Sequence, residues 1–209
     1  MKPPRNPAEI DALRERILNS ALEIIAGVGM EGLTMRKLAS KLHMTAPNLY
    51  NYFSSKDEIY ISIVIRGFEM LHAAIKATHD QNTGSAVRIR AMIDAYMHFG
   101  MNHPQYYDIM FNRPTPKHED YVGTPHEALS AVEYRISMEI AEMAIDTAAS
   151  LFNDTADSEA VQRRVVEIWS LMHGMITLSH SRVVQYVINP AERVYETIID
   201  EYVKKLLPE

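Results

Sequence analysis

The side chains of this 209-residue sequence that could do chemistry are nine histidines, a large set of carboxylates and a short polar run from Thr45 to Lys56. The histidines form no His-x-x-x-His pair. His72 and His79, like His173 and His180, stand seven residues apart, too far to share one metal ion unaided. Cysteine is absent, which excludes a disulfide framework, thiolate zinc or iron–sulfur sites and any cysteine nucleophile. There is no glycine-rich phosphate loop and no Gly-x-Ser-x-Gly elbow. The carboxylates fall on helix faces expected to be solvated. No catalytic residue, no metal and no cofactor is therefore expected, and the protein is not expected to be an enzyme. The polar run remains. In it Leu49 and Phe53 are one helical turn apart and point inward, leaving Ala46, Pro47, Asn48, Asn51 and Tyr52 to face outward. A short helix whose first turn arrives exposed and polar suits the major groove of B-DNA.

The elements that would position this run belong to an ordinary globular chain. Hydrophobic residues make up 47% and charged residues 23%, enough to bury a core. The length fits one domain, or a small one joined to a larger one. The longest apolar stretch free of Asp, Glu, Lys and Arg, Ile168 to Ser181, is too short for a bilayer span of ~20 residues. The start, Met1-Lys2-Pro3-Pro4-Arg5-Asn6-Pro7, lacks the apolar segment of a secretory signal. A cytoplasmic protein with no membrane partner is expected. The net charge of −6 is unevenly spread: residues 1–56 carry eight Lys/Arg against five Asp/Glu, and residues 57–209 carry thirteen against twenty-two. A basic head on an acidic body fits nucleic acid at one end, although +3 over 56 residues is also within ordinary surface scatter.

Helical periodicity dominates and no alternating strand is evident. Ile10, Leu13, Ile17, Ala21, Ile24 and Val28 form one stripe on a first helix that stops at Gly29. Thr34 caps a short helix from Met35 to Leu42, His43-Met44 makes a tight turn, and Thr45 caps a helix from Ala46 to Phe53, with Pro47 tolerated in its first turn. Ser55 caps a fourth helix, about Lys56 to His79. After the Asp80–Gly84 loop, helices are expected at Ser85 to Met101 and then through Phe111. The stretch Arg113 to Gly123 reads as the least ordered. Longer helices follow from Pro125 to Phe152, from Ser158 to Val187 and from Pro190 to Leu207. The fold class is all-α, with about nine helices: a three-helix helix-turn-helix domain at 8–56 and a larger helical ligand-binding and dimerisation domain at 57–209.

The residues Gly32-Leu33-Thr34-Met35-Arg36-Lys37-Leu38-Ala39-Ser40-Lys41-Leu42 and Thr45-Ala46-Pro47-Asn48-Leu49-Tyr50-Asn51-Tyr52-Phe53-Ser54-Ser55-Lys56 closely resemble the DNA-binding domain of TetR-family transcriptional regulators. The family hallmark is Leu-Tyr, then Tyr-Phe or His-Phe, then a Lys, and Leu49-Tyr50, Tyr52-Phe53 and Lys56 match it. Two positions depart. His43 stands where the turn often has Gly, and Pro47 stands early in the third helix where Gly is also common. The resemblance implies that Thr34, Thr45, Tyr50, Tyr52 and Lys56 hold the DNA backbone. It places Arg36, Ala46, Pro47, Asn48 and Asn51 at base edges, Arg36 toward a guanine, an Asn toward an adenine and Ala46 toward a thymine methyl. Lys2 and Arg5 would lie in an arm able to enter a minor groove.

Farther on, Trp169, His173 and Gly174 resemble the Trp-x-x-x-His-Gly signature of one class of TetR-type C-terminal domains. Trp169 and His173 share a helix face; Trp169 is expected in the core, and His173 either bonds a carbonyl there or meets a ligand. Gly174 suggests close helix approach or room for a ligand. Thirteen methionines suit an adaptable apolar pocket. Its candidates are Met97, Met101, Tyr107, Met110, Phe111, Tyr134, Met138, Trp169, Met172 and His173, each of which also reads as ordinary core. The resemblance puts a homodimer interface on the last two helices, with Val165, Leu171, Leu178, Val183, Val194, Ile198, Tyr202 and Leu206 as contributors. The leading reading is a dimeric repressor that binds a palindromic operator in double-stranded DNA and is released by a small hydrophobic effector. The alternative is a helical small-molecule-binding protein that has lost DNA binding, against which Arg36, Tyr52 and Lys56 stand.

Overall fold

The computed structural model describes residues 6–81 and 84–206, the side chain of Glu192 excepted; the Lys2/Arg5 arm lies outside them. Among the described residues the chain forms ten α-helices and no strand. Their contacts divide it into two compact units, residues up to Phe68 with Gln105–Arg135, and Glu69–Pro104 with the residues from Ile136 on.

In the first unit, α1 (Pro7–Val28) is capped by Asn6, whose Oδ1 accepts from Ala8 N at 3.2 Å, and ended by Gly29 at φ 79°. Ile17, Ala21 and Ile24 are buried together with Leu18, Leu22 and Ile25, but Ile10 and Val28, the ends of the expected stripe, are exposed at 36% and 56%. Helix α2 (Met35–Lys41) starts where Thr34 Oγ1 accepts from Lys37 N at 3.1 Å. The turn after it places His43 at φ 54°, a left-handed position that histidine tolerates better than most side chains. Helix α3 (Ala46–Leu49) starts where Thr45 Oγ1 accepts from Asn48 N at 3.3 Å. It is shorter than the expected run to Phe53. Tyr52 N and Phe53 N both donate to Leu49 O, so the last turn tightens and both rings swing into the core, at 8% and 1% exposure.

Helix α4 (Lys56–Gln81) begins with a doubled cap. Ser55 Oγ accepts from Glu58 N at 3.0 Å, while Glu58 Oε2 accepts from Ser54 N at 2.6 Å and Ser54 Oγ at 2.7 Å. Its Gly67 permits close packing: a Cβ there would lie 2.5 Å from Met110 Sδ. After α6 (Pro104–Tyr107) the chain makes a π-turn over Asp108–Asn112, where a plain short helix was expected. The 113–123 stretch, expected to be the least ordered, holds α7 (His118–Tyr121), whose start is fixed by Lys117 N donating to Asp120 Oδ2 at 2.9 Å. Helix α8 (Glu127–Phe152) follows and contributes to both units, as α4 does.

In the second unit, α5 (Ser85–Asn102) packs on α9 (Glu159–His180). Gly100 lets the two helices approach closely, since a Cβ there would lie 2.4 Å from Ile176 Cδ1. Met92, Ile93, Tyr96, Met97 and Phe99 of α5 and Met172, Met175 and Ile176 of α9 are buried. Helix α9 ends at His180, seven residues before the expected Val187, because Arg182 turns left-handed at φ 59° and a 3-10 segment follows over Val183–Tyr186. Helix α10 (Ala191–Leu206) buries Ala191, Tyr195, Ile199, Val203 and Leu206, a single stripe of period three to four.

Candidate nucleic-acid interface

The residues expected at DNA gather on the outer side of α2, α3 and the start of α4. Thr34, Arg36, Thr45, Pro47 and Asn51 are exposed, Ala46, Asn48 and Lys56 are half-buried, and Tyr50 is 52% exposed. Thr34 and Thr45 are already committed as caps, so each offers DNA only what remains of its hydroxyl. Tyr52 is a correction. It does not face outward, because the tightened turn after Leu49 rotates its ring into the core, while Tyr50 takes the exposed place.

The framework behind this face rests on residues that no local spacing reveals. Arg14 of α1 donates to Tyr52 O, lays its guanidinium 4.1 Å above the Phe53 ring and approaches Glu58 at 3.9 Å, fastening α1 to the α3–α4 junction. Arg66 of α4 pairs with Glu15 and donates to Asn19 Oδ1 at 3.2 Å, adding a second tie to α1. Arg113 donates to Ala26 O at 2.8 Å and to Asp108 Oδ2 at 2.5 Å, setting a cation at the carbonyl end of α1, where the helix dipole favours it. His126, at the start of α8, lies 3.0 Å from Ser55 Oγ and so braces the cap beside Lys56.

The ten ligand candidates divide between the units. Tyr107 and Met110 are buried in the first, with Phe111 half-buried; the Tyr107 and Phe111 rings lie 4.9 Å apart, and Phe68 meets Phe111 edge-on at 5.8 Å. Met97 and Met172 are buried in the second, with Met101 and His173 half-buried. Tyr134 and Met138 of α8 are exposed at 45% and 38%, and the Tyr134 ring stacks on His118 at 5.3 Å. Trp169 is not in the core: it is 45% exposed, held by its Nε1 donating to the Tyr96 hydroxyl at 2.8 Å. Nothing lies within 4 Å of a Cβ built on Gly174, so the close helix approach is at Gly100 and Gly174 borders open space. His180 Nε2 donates to the backbone carbonyl of Gly100 at 3.0 Å.

Within the second unit, α9 and α10 frame an open groove of about 850 Å³. Val166, Trp169, Leu178 and Ile198 are exposed on these helices. Leu206 is buried and Val165 packs on the Ala148–Ala149–Val161 cluster, so neither belongs to that face as expected. Glu69 and His72 have a Glu-x-x-His spacing, and His72 Nε2 is engaged by Glu139 at 3.1 Å. Among the described residues no group of three or more His, Asp or Glu could hold a metal ion, and no helix is long and apolar enough to cross a membrane.

Two family profiles match this sequence. One described as "Bacterial regulatory proteins, tetR family" covers residues 17–63, and one described as "Tetracyclin repressor-like, C-terminal domain" covers residues 89–202. The transcriptional activator FasR of Mycolicibacterium smegmatis is 24% identical over 169 residues, 81% of this chain and 69% of that protein. The ketosteroid transcriptional regulator KstR2 of Mycobacterium tuberculosis superposes with a TM-score of 0.70 at 15% identity, covering 94% of this chain and 95% of that one. The structure of AibR in complex with isovaleryl coenzyme A and operator DNA superposes with a TM-score of 0.64 at 17% identity, covering 93% and 98%.

Proposed function

This chain belongs to the TetR family of bacterial transcriptional regulators, and on that premise we propose that it is a ligand-responsive repressor that binds a palindromic operator as a homodimer and is released by a small hydrophobic molecule. Residues 8–56 are its DNA-binding head and residues 57–209 its ligand-binding and dimerisation body; it works in the cytoplasm and is not an enzyme. The observation that carries this reading is the exposed face on which Arg36, Pro47 and Asn51 stand together beside Lys56, over a framework fixed by Arg14 and the Thr34 and Thr45 caps. Arg36 and Asn51 read bases; Thr34, Thr45, Tyr50 and Lys56 hold phosphates; Ala46, Pro47 and Asn48 line the approach to the groove. Tyr52 supports this face from inside more than it touches DNA.

The dimer forms through the apolar α9–α10 face, since two copies related by a two-fold axis can cover Val166, Leu171 and Ile198 at once. The ligand enters among the Met-rich residues of the body, with Trp169, Met172 and His173 at the open space beside Gly174. The isovaleryl coenzyme A bound by AibR, an acyl thioester, supports an effector with an apolar acyl portion. Helix α4 carries the response, because one uninterrupted helix starts at Lys56 and ends in the second unit. An allosteric coupling of ~1–3 kcal/mol lowers operator affinity about 5- to 150-fold, and linkage requires operator DNA to weaken ligand binding equally.

The test is to search the DNA upstream of the coding region for an inverted repeat, measure binding to it, and repeat the titration with hydrophobic molecules that raise the melting temperature. A saturating ligand that leaves operator affinity unchanged would be a passenger, not an effector. The activator name of the FasR relative favours a second reading, activation from the same operator, and a reporter placed behind that DNA separates the two by the sign of the response.

A further inference from the structure

Within the first unit α4, the 116–121 segment and α8 meet around a small, partly open cavity of about 10 Å³, with the exposed Lys117 among its lining residues. Ile61 and Val64 line its dry side, and Tyr60, Tyr121, Ser130 and Glu133 its polar side. Two of these polar groups are accounted for. The Tyr60 hydroxyl donates to Pro116 O at 3.1 Å. The Ser130 hydroxyl donates to Glu127 O at 3.0 Å, which leaves His118 Nδ1 to donate to Ser130 Oγ at 2.9 Å. Two lining groups remain, the Glu133 carboxyl and the Tyr121 hydroxyl; Tyr121 is 93% buried, and its hydroxyl oxygen is sealed from solvent with no partner among the described residues. Buried hydroxyls in folded proteins are paired, with protein or with ordered water. A cavity needs ~10–15 Å³ of such space to hold one water molecule, and two to four polar partners around it.

We propose that this cavity is a one-water site, in which a water molecule accepts from the Tyr121 hydroxyl and donates to the Glu133 carboxyl, joining α7 to α8 behind the first turns of α4. The space is too small for an organic ligand. A cation is disfavoured by Lys117 and His118, both of which act on Glu133. Burial raises the pKa of Glu133 although Lys117 and His118 act to lower it. Asp57 of α4 and Glu119 and Asp120 of α7 are the other charges that act on Tyr121 or Glu133. The site has a consequence that rests on the DNA-binding reading. The Tyr121 ring meets the His126 ring edge-on at 6.2 Å, and His126 braces the Ser55 cap beside Lys56, so the water helps to seat the turn that faces the operator.

The experiment is a high-resolution crystal structure of the wild type, Tyr121→Phe and Glu133→Gln proteins, with melting curves taken without DNA and operator titrations over a range of salt. A solvent peak within hydrogen-bond distance of Tyr121 Oη and Glu133 is expected in the wild type. It should persist in Glu133→Gln and vanish in Tyr121→Phe, which melts lower. A dry cavity, or a Tyr121→Phe protein that melts higher because an orphan hydroxyl has been removed, would overturn the proposal. Tyr121→Phe should bind operator several-fold more weakly with an unchanged salt slope, because no phosphate contact is lost. Wild-type operator affinity in that variant would refute the seating role. If the wild-type protein binds no operator while the water is present, the DNA-binding reading fails and the water site stands.

Discussion

The two faces that this molecule turns outward are built on opposite plans. The α2–α3 face exposes Arg36, Thr34, Thr45, Pro47 and Asn51, and behind it the helix starts are pinned by the Thr34 and Thr45 caps and the α3–α4 junction by the Arg14 guanidinium. The α9–α10 face exposes Val166 and Ile198 around an open groove that Leu171 also lines, with Glu159, Arg163, Glu167, Glu201 and Lys205 along it. A polar face on a rigid support suits a ligand of fixed shape and high charge, whose recognition depends on where donors are held. An apolar face with charges of both signs at its edge suits a copy of itself, whose affinity depends on area kept from water. The first face is specified by direction and the second by extent.

The largest effect should come from breaking the second face. Val166→Glu with Ile198→Glu would bury charges in a dimer, at several kcal/mol without a partner. Sedimentation should show the dimer dissociating at protein concentrations about 100-fold or more above those at which the wild type does. Operator binding should fall with it, since half-sites are held in pairs. A dimer unaffected by both changes would place the interface elsewhere. The next largest effect should come from the first face. Arg36→Ala or Asn51→Ala should cost ~1–3 kcal/mol on the operator and relax specificity at one position per half-site, with random DNA bound as before. Lys56→Ala should act more evenly. It should weaken binding to operator and random DNA alike and make the salt slope shallower by about one unit. Equal losses on both DNAs for all three variants would erase the distinction between base readers and phosphate holders.

The smallest effect concerns the support behind the polar face. Burial raises the pKa of Glu133 above its ordinary value, so the folded protein binds this proton more tightly than the unfolded chain. The penalty for ionising it is absent below the ordinary glutamate range and grows as pH rises through the folded pKa. Glu133→Gln should therefore gain in melting temperature relative to the wild type as pH is raised from about 4 to about 8, the window that starts at the ordinary glutamate pKa. A constant difference across that window would mean that Glu133 ionises as freely folded as unfolded.

The polar face was largely legible in the sequence, because its start signals act within three residues of themselves. Thr34, Thr45 and Ser55 each accept from the backbone N–H three residues on, and Gly29 takes the left-handed position that ends α1. What spacing could not show are the places where distant residues decide. α3 stops at Leu49 because Tyr52 and Phe53 are both claimed by the core, with Arg14, thirty-eight positions away, gripping the Tyr52 carbonyl. Arg113 reaches the end of α1 across eighty-seven positions. Trp169 reads as core by its type, yet its ring is half outside, because α5 offers it a hydroxyl at Tyr96 and not a cavity. His180 ends α9 early because a left-handed Arg182 breaks an otherwise continuous apolar pattern, and no glycine or proline announces it.

The π-turn at Asp108–Asn112 has a consequence for how this chain can tolerate insertions and deletions. A π-turn is an α-helical turn carrying one residue more than the ladder needs. Deleting one residue between Asp108 and Asn112 would let the ladder close as ordinary α-helix, and every position beyond it would rotate by ~100° about the axis. Arg113 would then leave the carbonyl of Ala26, and Met110 would no longer rest on Gly67. Elsewhere in 113–123 a lost residue could be absorbed by loop. In this turn, lengths drift at the cost of unfastening α1, so the extra residue is a register mark that descendants of this sequence must keep or replace as a unit with Arg113 and Gly67.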